Sequence, residues 1–201
     1  ANVTAGDNIQ IASFSLGEDS NVSNGSNSYN IMVDADVTAS SDINISTSRG
    51  TVSGAGLISG VDASVYAANG VDINTSVNSL SVINTTSGDI VVHEADSLTI
   101  SSDGLHTQDG NGSITIVSGG LIYTGEDASI SADGSGTIDI STTLGSISIS
   151  NSVSSGSGDI NITAASYVSL DSGKDSNGTI GTDGDVFVKA TSGFITGGNS
   201  T

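Results

Sequence analysis

The chain alternates apolar and polar residues over runs of three to five positions, and one short unit returns along most of its length. The unit is a Gly, Asp, Ser or Thr, then a β-branched residue, any residue and usually a second β-branched residue. Alternation with a period of two places successive side chains on opposite faces of a β-strand. The copies are Asp42-Ile43-Asn44-Ile45, Asp89-Ile90-Val91-Val92, Ser113-Ile114-Thr115-Ile116, Thr137-Ile138-Asp139-Ile140, Asp159-Ile160-Asn161-Ile162 and Asp185-Val186-Phe187-Val188. The pattern predicts many short strands.

The unit recurs at similar distances along the chain. Further short runs lie between its copies, such as Leu121-x-Tyr123 and Ile147-x-Ile149, separated by Gly, Asn and Asp, which allow turns at low conformational cost. No apolar stripe with helical spacing is present. Cutting after the glycine that precedes each unit gives the blocks 71–88, 89–112, 113–136, 137–158 and 159–184, with a partial block 185–201. Two or three strands in each block of about two dozen residues are typical of a parallel β-solenoid.

We therefore predict an all-β fold, a right-handed parallel β-helix of about nine coils with roughly 18–26 residues each. One domain should cover residues 1–201, with a less regular part at 1–41 and clear repeats over 42–201. Equivalent units should stack so that their β-branched residues form one aliphatic column. The expected inward residues are Ile43/Ile45, Ile90/Val92, Ile114/Ile116, Ile138/Ile140, Ile160/Ile162 and Val186/Val188, and the expected outward ones are Asn44, Thr115, Asp139, Asn161 and Phe187.

The competing fold is an antiparallel β-sandwich. Sandwiches usually have longer strands and buried aromatic residues. This chain has four Tyr, three Phe and no Trp, and its apolar runs are short. These features favour the solenoid.

Composition excludes several classes of function. The chain has 22 acidic residues and three basic ones, with a formal net charge of -19, so it offers no cationic surface for nucleic acid. It has no cysteine, and therefore no disulfide or thiolate site. No run of 18 apolar residues is present, so we expect no insertion into a membrane.

The repeats resemble the β-helical regions of filamentous-haemagglutinin-like adhesins and other large secreted surface proteins. The resemblance rests on Gly158-Asp159-Ile160-Asn161-Ile162-Thr163 and on Gly145-Ser146-Ile147-Ser148-Ile149-Ser150, and it covers roughly residues 42–201. It implies a structural stalk or repeat array outside the cell, at the cell surface. The chain would then be an interior part of such an adhesin or a shorter relative of it.

Enzymatic activity is not expected. Polysaccharide-active β-helix enzymes combine calcium-binding aspartates with a basic residue, and three scattered basic residues do not build that site. The acid pairs Glu126/Asp127 and Asp183/Asp185 lie in glycine-rich turns without aromatic platforms for a sugar. His93 and His106 are thirteen positions apart, which favours surface imidazoles over a metal pair.

Calcium is the one cofactor that the pattern suggests, although we expect none to be required. Ca²⁺ prefers carboxylate, amide and carbonyl oxygens, often in loops that contain glycine. The alternative is that Asp and Asn stand in these loops as turn residues. The candidate ligands are Asp109, Asn111, Asp171, Asp175, Asn177, Asp183 and Asp185. With them, the second hypothesis for function is a calcium- or carbohydrate-binding module on a β-helix scaffold.

The two ends of the predicted coil are expected to be uncapped. The pattern begins at Asn8-Ile9-Gln10-Ile11 and continues through Phe194-Ile195, with no amphipathic helix after it. Solenoids normally cover their ends with polar caps. The expected partners are therefore a second copy stacked end to end or flanking repeats of a longer chain, together with cell-surface glycans.

Asn-x-Ser/Thr sequons are frequent in the chain. They would carry glycans only in an archaeal or eukaryotic surface protein and would have no meaning in most bacteria. They begin at Asn2, Asn21, Asn24, Asn44, Asn74, Asn84, Asn111, Asn161, Asn177 and Asn199.

Overall fold

The structure is a computed structural model, and it describes residues 2–13, 29–125, 127–170 and 178–197. Its regular elements within these ranges are all β-strands. They are β1 Val3–Ala5, β2 Ile9–Ser13, β3 Ile31–Met32, β4 Val37–Ala39, β5 Ile43–Thr47, β6 Val52–Ala67, β7 Val71–Asn84, β8 Ile90–Glu94, β9 Leu98–Thr107, β10 Ile114–Ser118, β11 Ile122–Thr124, β12 Ile130–Ala132, β13 Ile138–Thr142, β14 Ile147–Ser148, β15 Ser152–Ser155, β16 Ile160–Ala164, β17 Val168–Leu170, β18 Thr179–Gly181, β19 Val186–Ala190 and β20 Ile195–Gly197.

The strands form three stacks of parallel strands, so the predicted β-solenoid is confirmed. The first stack runs through β3, β8, β10, β13, β16 and β19, the second through β11, β14, β17 and β20, and the third through β12, β15 and β18. At the N-terminal end β1 pairs with β4, and β4 leads through β6 and β7 to the end of β8. β2 pairs with β5, which reaches the second stack at Ile43 and the third at Ile45. The long strands β6 and β7 bend around the corners and contribute to all three stacks, and β9 contributes to the second and third. We call the turns from the first to the second stack the first corner, and those from the third back to the first the third corner.

The described strands make about seven turns, where nine were expected. The difference arises at the ends of the coil. β1 and β2 at one end, and β19 and β20 at the other, belong to turns that the described residues do not complete.

The register of the first stack matches the predicted repeat residue for residue. Ile90 pairs with Ile114, Ile114 with Ile138, Ile138 with Ile160, and Ile160 with Val186. Ile90, Ile114, Ile138 and Ile160 are fully buried. The backbone N–H of each residue also donates to a carbonyl of the next turn, at 2.8 Å from Ile114 to Thr137, for example. The aliphatic column and the hydrogen-bond ladder therefore run parallel to the axis of the coil.

One part of the predicted column was wrong. Ile43 and Ile45 pair with Ala63 and Val65, which places Ile43 in the second stack and Ile45 in the third, and neither in the column of Ile90. The unit marks an inward-facing strand, but it does not specify which of the three faces that strand occupies. Ile43 and Ile45 therefore do not extend the column of Ile90.

The glycine that precedes the copies of the unit in the first stack is required by the close approach of successive turns. A Cβ on Gly136 would collide with the carbonyl oxygen of Gly112, and one on Gly158 would collide with that of Gly136. The same holds for Gly112 against Gly88. These glycines form a column at the third corner where no side chain fits.

The polar residue that follows this glycine links one turn to the next. The backbone N–H of Ser113 donates to Oδ1 of Asp89 at 2.8 Å, and that of Asp185 donates to Oδ1 of Asp159 at 2.9 Å. The hydroxyl of Ser113 accepts the N–H of Thr137 in the same way, at 3.1 Å. The Asp of the Gly-Asp-Ile unit is thus explained by hydrogen bonding between turns.

Candidate functional site

The calcium candidates that the structure describes all lie at the third corner. Asp109 and Asn111 belong to one turn there, and Asp183 and Asp185 belong to a turn three levels further along. At about 4.8 Å for each level, the two pairs are roughly 14 Å apart and do not share a site. Asp171, Asp175 and Asn177 lie outside the described residues, as does Glu126.

Two of the described candidates already make structural hydrogen bonds. Asn111 has a positive φ of 58°, and its Oδ1 accepts the backbone N–H of Ser135 at 3.0 Å. Asp185 donates its own N–H to Asp159. Within the described ranges no group of three or more His, Asp or Glu side chains is placed to hold a metal ion. A site that includes 171–177 stays a prediction.

Divalent cations should nevertheless raise the melting temperature, because they relieve the repulsion of a chain with net charge -19. This general effect should grow gradually with concentration and should be similar for magnesium and calcium. A specific calcium site would saturate at low concentration and be lost in Asp175→Ala. Thermal melts with EDTA, magnesium or calcium at fixed ionic strength distinguish the two. A melting temperature that none of them changes would contradict both.

The two histidines do not form a pair. His93 is exposed on the first stack, in register with Asn74 and Val117, whereas His106 lies on the third stack beside Ser131. His106 is half-buried, and this burial lowers the pKa of its imidazole. The expectation of a surface imidazole is confirmed for His93.

One sequon, at Asn84, is not accessible for glycosylation. Asn84 is fully buried, and its side-chain nitrogen donates to the carbonyls of Ser87 at 2.9 Å and Gly88 at 2.6 Å. Its Oδ1 accepts the N–H of Gly70. The side chain therefore ties the third corner together and has no room for a glycan.

Glu94 is a buried carboxyl that the sequence analysis did not identify as a candidate. It ends β8 at the inward position that follows Ile90 and Val92, and only 4% of its surface is exposed. Its two carboxyl oxygens accept the backbone N–H groups of Asp96 at 3.2 Å and Val77 at 3.3 Å. Burial raises the pKa of this carboxyl from 4.5 to about 7, and the side chain of Asp96 shifts it in the same direction. The sequence does contain a signal for this buried carboxyl, because Glu94 follows Ile90 and Val92 at the inward positions of the same alternating run.

The C-terminal end of the coil, formed by β18, β19 and β20, exposes several apolar side chains. Val186 is 48% exposed, although Ile160 at the same register one turn earlier is fully buried. Ile195 is 50% exposed, whereas its register partner Val168 is fully buried. Thus the inner columns reach this end without being covered.

Two aromatic rings extend the same surface to the first corner. Phe194 is 61% exposed, and its ring stacks on that of Tyr167 at 5.5 Å between centroids. Phe187, on the outer face of β19, is 54% exposed. We call β18, β19, β20 and the Tyr167–Phe194 pair the end surface.

The opposite end of the coil is exposed in part. Val3 in β1 is 48% exposed, but Ile9 in β2 is only 7% exposed and Ile31 in β3 only 9%. Val3 is an inward position, because its register partner Val37 is buried, and β1 and β2 each pair with one described strand. Among the described residues, this end therefore exposes Val3 but not Ile9.

The described residues contain no helix long and apolar enough to cross a membrane. No family model, no curated protein and no solved structure matches the chain.

Proposed function

We propose that the protein is a non-enzymatic structural element of the cell exterior. It is a rigid β-helix that serves as the stalk of a surface adhesin or as a head-to-tail subunit of an extracellular filament. The resemblance of the repeats at 145–150 and 158–163 to adhesin repeats supports the extracellular assignment. The three continuous stacks of parallel strands support the role as a rod.

The bonding along the axis accounts for the rigidity. Each turn is joined to the next by backbone hydrogen bonds in all three stacks and by the side-chain links of Asp89, Ser113 and Asp159 at the third corner. The core that these links enclose is aliphatic and fully buried in the central turns. Bending the rod would break several of these bonds together.

The observation that carries the proposal is the end surface. The inward columns end there on half-exposed Val186 and Ile195, and the strand edges of β19 and β20 pair with only one described strand each. An exposed apolar strand edge favours pairing with another strand. A further solenoid coil, from flanking repeats or from a second copy, supplies both the strands and the aliphatic side chains that complete this end.

Self-association through the end surface should be detectable in sedimentation velocity. The wild-type chain should form species heavier than its 19.7 kDa monomer as concentration rises. Val186→Asp combined with Ile195→Asp should keep it monomeric, because a charge would enter the apolar contact. Leu144→Asp is the control for an added charge, since Leu144 is 83% exposed at the first corner, two turns before β20.

Equal sedimentation of the wild type and the double variant at all concentrations would contradict assembly through a second copy. Loss of association in the Leu144 variant would show that charge alone, and not the end surface, controls it.

A further inference from the structure

Asn111 and Gly112 form an exposed Asn-Gly pair at the third corner. Asn111 is the one described residue other than glycine with a positive φ, 58°, and it is exposed to solvent. This region of φ is strained for a residue with a Cβ, although asparagine tolerates it better than most. Glycine has no Cβ, so its backbone nitrogen is open to approach by the amide carbon of the preceding asparagine. The pair therefore has the composition of a site for attack by the backbone on a side chain.

The next turn activates the side-chain amide of Asn111. Its Oδ1 accepts the backbone N–H of Ser135 at 3.0 Å, and it lies against Gly134, where an added Cβ would collide with it. Negative charge develops on this oxygen when a nucleophile adds to the amide carbon, and a fixed N–H donor stabilises that charge. The hydrogen bond that links the two turns thus also favours the attack.

The attacking and leaving groups of this pair are free of hydrogen bonds. Within the part of the chain that the structure describes, neither the backbone N–H of Gly112 nor the side-chain nitrogen of Asn111 has an acceptor. The carbonyl of Gly112, by contrast, is fixed, because it accepts the hydroxyl of Thr107 at 2.9 Å. The reaction therefore starts without breaking a hydrogen bond at either nitrogen.

A second Asn-Gly pair, Asn69-Gly70, lies at the same corner and is protected at both nitrogens. The backbone N–H of Gly70 donates to Oδ1 of Asn84 at 2.9 Å, which occupies the nucleophile. The side-chain nitrogen of Asn69 donates to the carbonyl of Arg49 at 2.8 Å, which holds the leaving group. Oδ1 of Asn69 accepts the Ser87 hydroxyl at 3.2 Å, so the two pairs differ at their nitrogen atoms rather than at this oxygen.

We propose that Asn111 is a site of spontaneous deamidation in the folded rod. The backbone nitrogen of Gly112 forms a bond to Cγ of Asn111 and gives its proton to water, while the bond from Cγ to Nδ2 breaks and this nitrogen leaves as ammonia. Water then opens the resulting cyclic imide at either of its carbonyl carbons, which gives aspartate or isoaspartate. One water is consumed and one ammonia released, with no change of oxidation state.

The isoaspartate product opens the third corner. Its main chain runs through the former side chain and is longer by one methylene group. The corner has no room for this, because Gly110 has a φ of 80° and Gly112 lies so close to the carbonyl oxygen of Gly88 that a Cβ would collide with it. The aspartate product keeps an oxygen acceptor for Ser135 and changes only the charge.

The test follows deamidation of the folded protein by mass spectrometry during incubation at mildly alkaline pH. Peptic digestion in acid stops the reaction and separates the peptides of Asn69 and Asn111. Asn111 should convert on the order of 10-fold faster than Asn69, because the nucleophile beside Asn69 must first give up a hydrogen bond.

The same incubation in urea that unfolds the protein is the control for sequence. Both pairs should then convert at similar rates, since the hydrogen bonds of the fold are lost. Equal rates in the folded protein, an Asn111 that stays intact, or a difference that persists in urea would each overturn the proposal.

Asn111→Asp separates the two products. This variant has the charge of deamidation without the longer main chain, so it should unfold at the same urea concentration as fresh wild-type protein. Aged wild-type protein, with its isoaspartate measured by enzymatic methylation, should unfold at a lower concentration. Equal unfolding of the aged, fresh and variant proteins would overturn the opening of the corner.

Discussion

Ile138→Asp should lower the free energy of unfolding by about 5 kcal/mol, through lost aliphatic packing and an uncompensated buried carboxylate. Ile138 is fully buried in the first stack between Ile114 and Ile160, and both of these neighbours are also fully buried. A carboxylate there has no cation to pair with. Equilibrium urea denaturation measures the change.

The matched control is Asp139→Asn, one position along the same strand. Asp139 faces outward, and its Oδ1 accepts a hydrogen bond from the side-chain nitrogen of Asn161 at 2.9 Å. Asparagine keeps that acceptor oxygen, so the change in stability should stay within about 0.5 kcal/mol. Equal stability of Ile138→Asp and the wild type would show that the assignment of inward and outward positions is wrong.

Gly136→Ala should destabilise the protein by about 2–3 kcal/mol, although it adds a single methyl group. That methyl group would collide with the carbonyl oxygen of Gly112 on the neighbouring turn, and backbone atoms cannot move aside as a side chain can. The two turns would have to separate, which weakens the hydrogen bond from Ile114 to Thr137 beside them. Thermal and urea unfolding both report the loss.

Gly181→Ala separates this effect from a general cost of replacing glycine. Gly181 lies in β18, and a Cβ there would meet no atom within 4 Å. Its substitution should be neutral or slightly stabilising, since alanine restricts the unfolded chain more than glycine does. Similar losses in both variants would contradict the close contact between Gly112 and Gly136.

The register of the first stack could be predicted because several features of each unit specify the same register. Ile90, Ile114, Ile138 and Ile160 each follow a turn glycine and a polar residue, and both flanking residues have a structural task between turns. The glycine allows the close approach, and the polar residue binds the next turn. A one-residue slip would turn every aliphatic side chain outward.

The faces of the other strands could not be predicted in the same way. Ile43 and Ile45 show the same alternation as Ile90 and Val92, yet they lie on other faces, since any inward strand satisfies the pattern. In Leu121-Ile122-Tyr123 all three residues are apolar. The alternation could therefore place either Ile122 or both Leu121 and Tyr123 on the inner face. Packing selects Ile122 as the buried residue, because it stands between Leu98 and Ile147.

The candidate sites were harder to predict for a related reason. Asp and Asn serve equally well as calcium ligands, as turn residues and as links between turns, so their presence at the third corner does not discriminate. Asp159 illustrates the third of these tasks. Glu94 was missed because the exposed His93 and Asp96 around it suggest a polar turn, and its inward direction becomes evident only from the register of β8.

Electron microscopy of the protein in its native material tests most directly whether the coil continues through its end surface. One copy of about seven turns spans roughly 35 Å at about 4.8 Å for each turn. The proposal predicts straight, thin rods or fibres of uniform width that are clearly longer than one copy. Dispersed particles no longer than a single copy, with a mass of 19.7 kDa in light scattering, would contradict it.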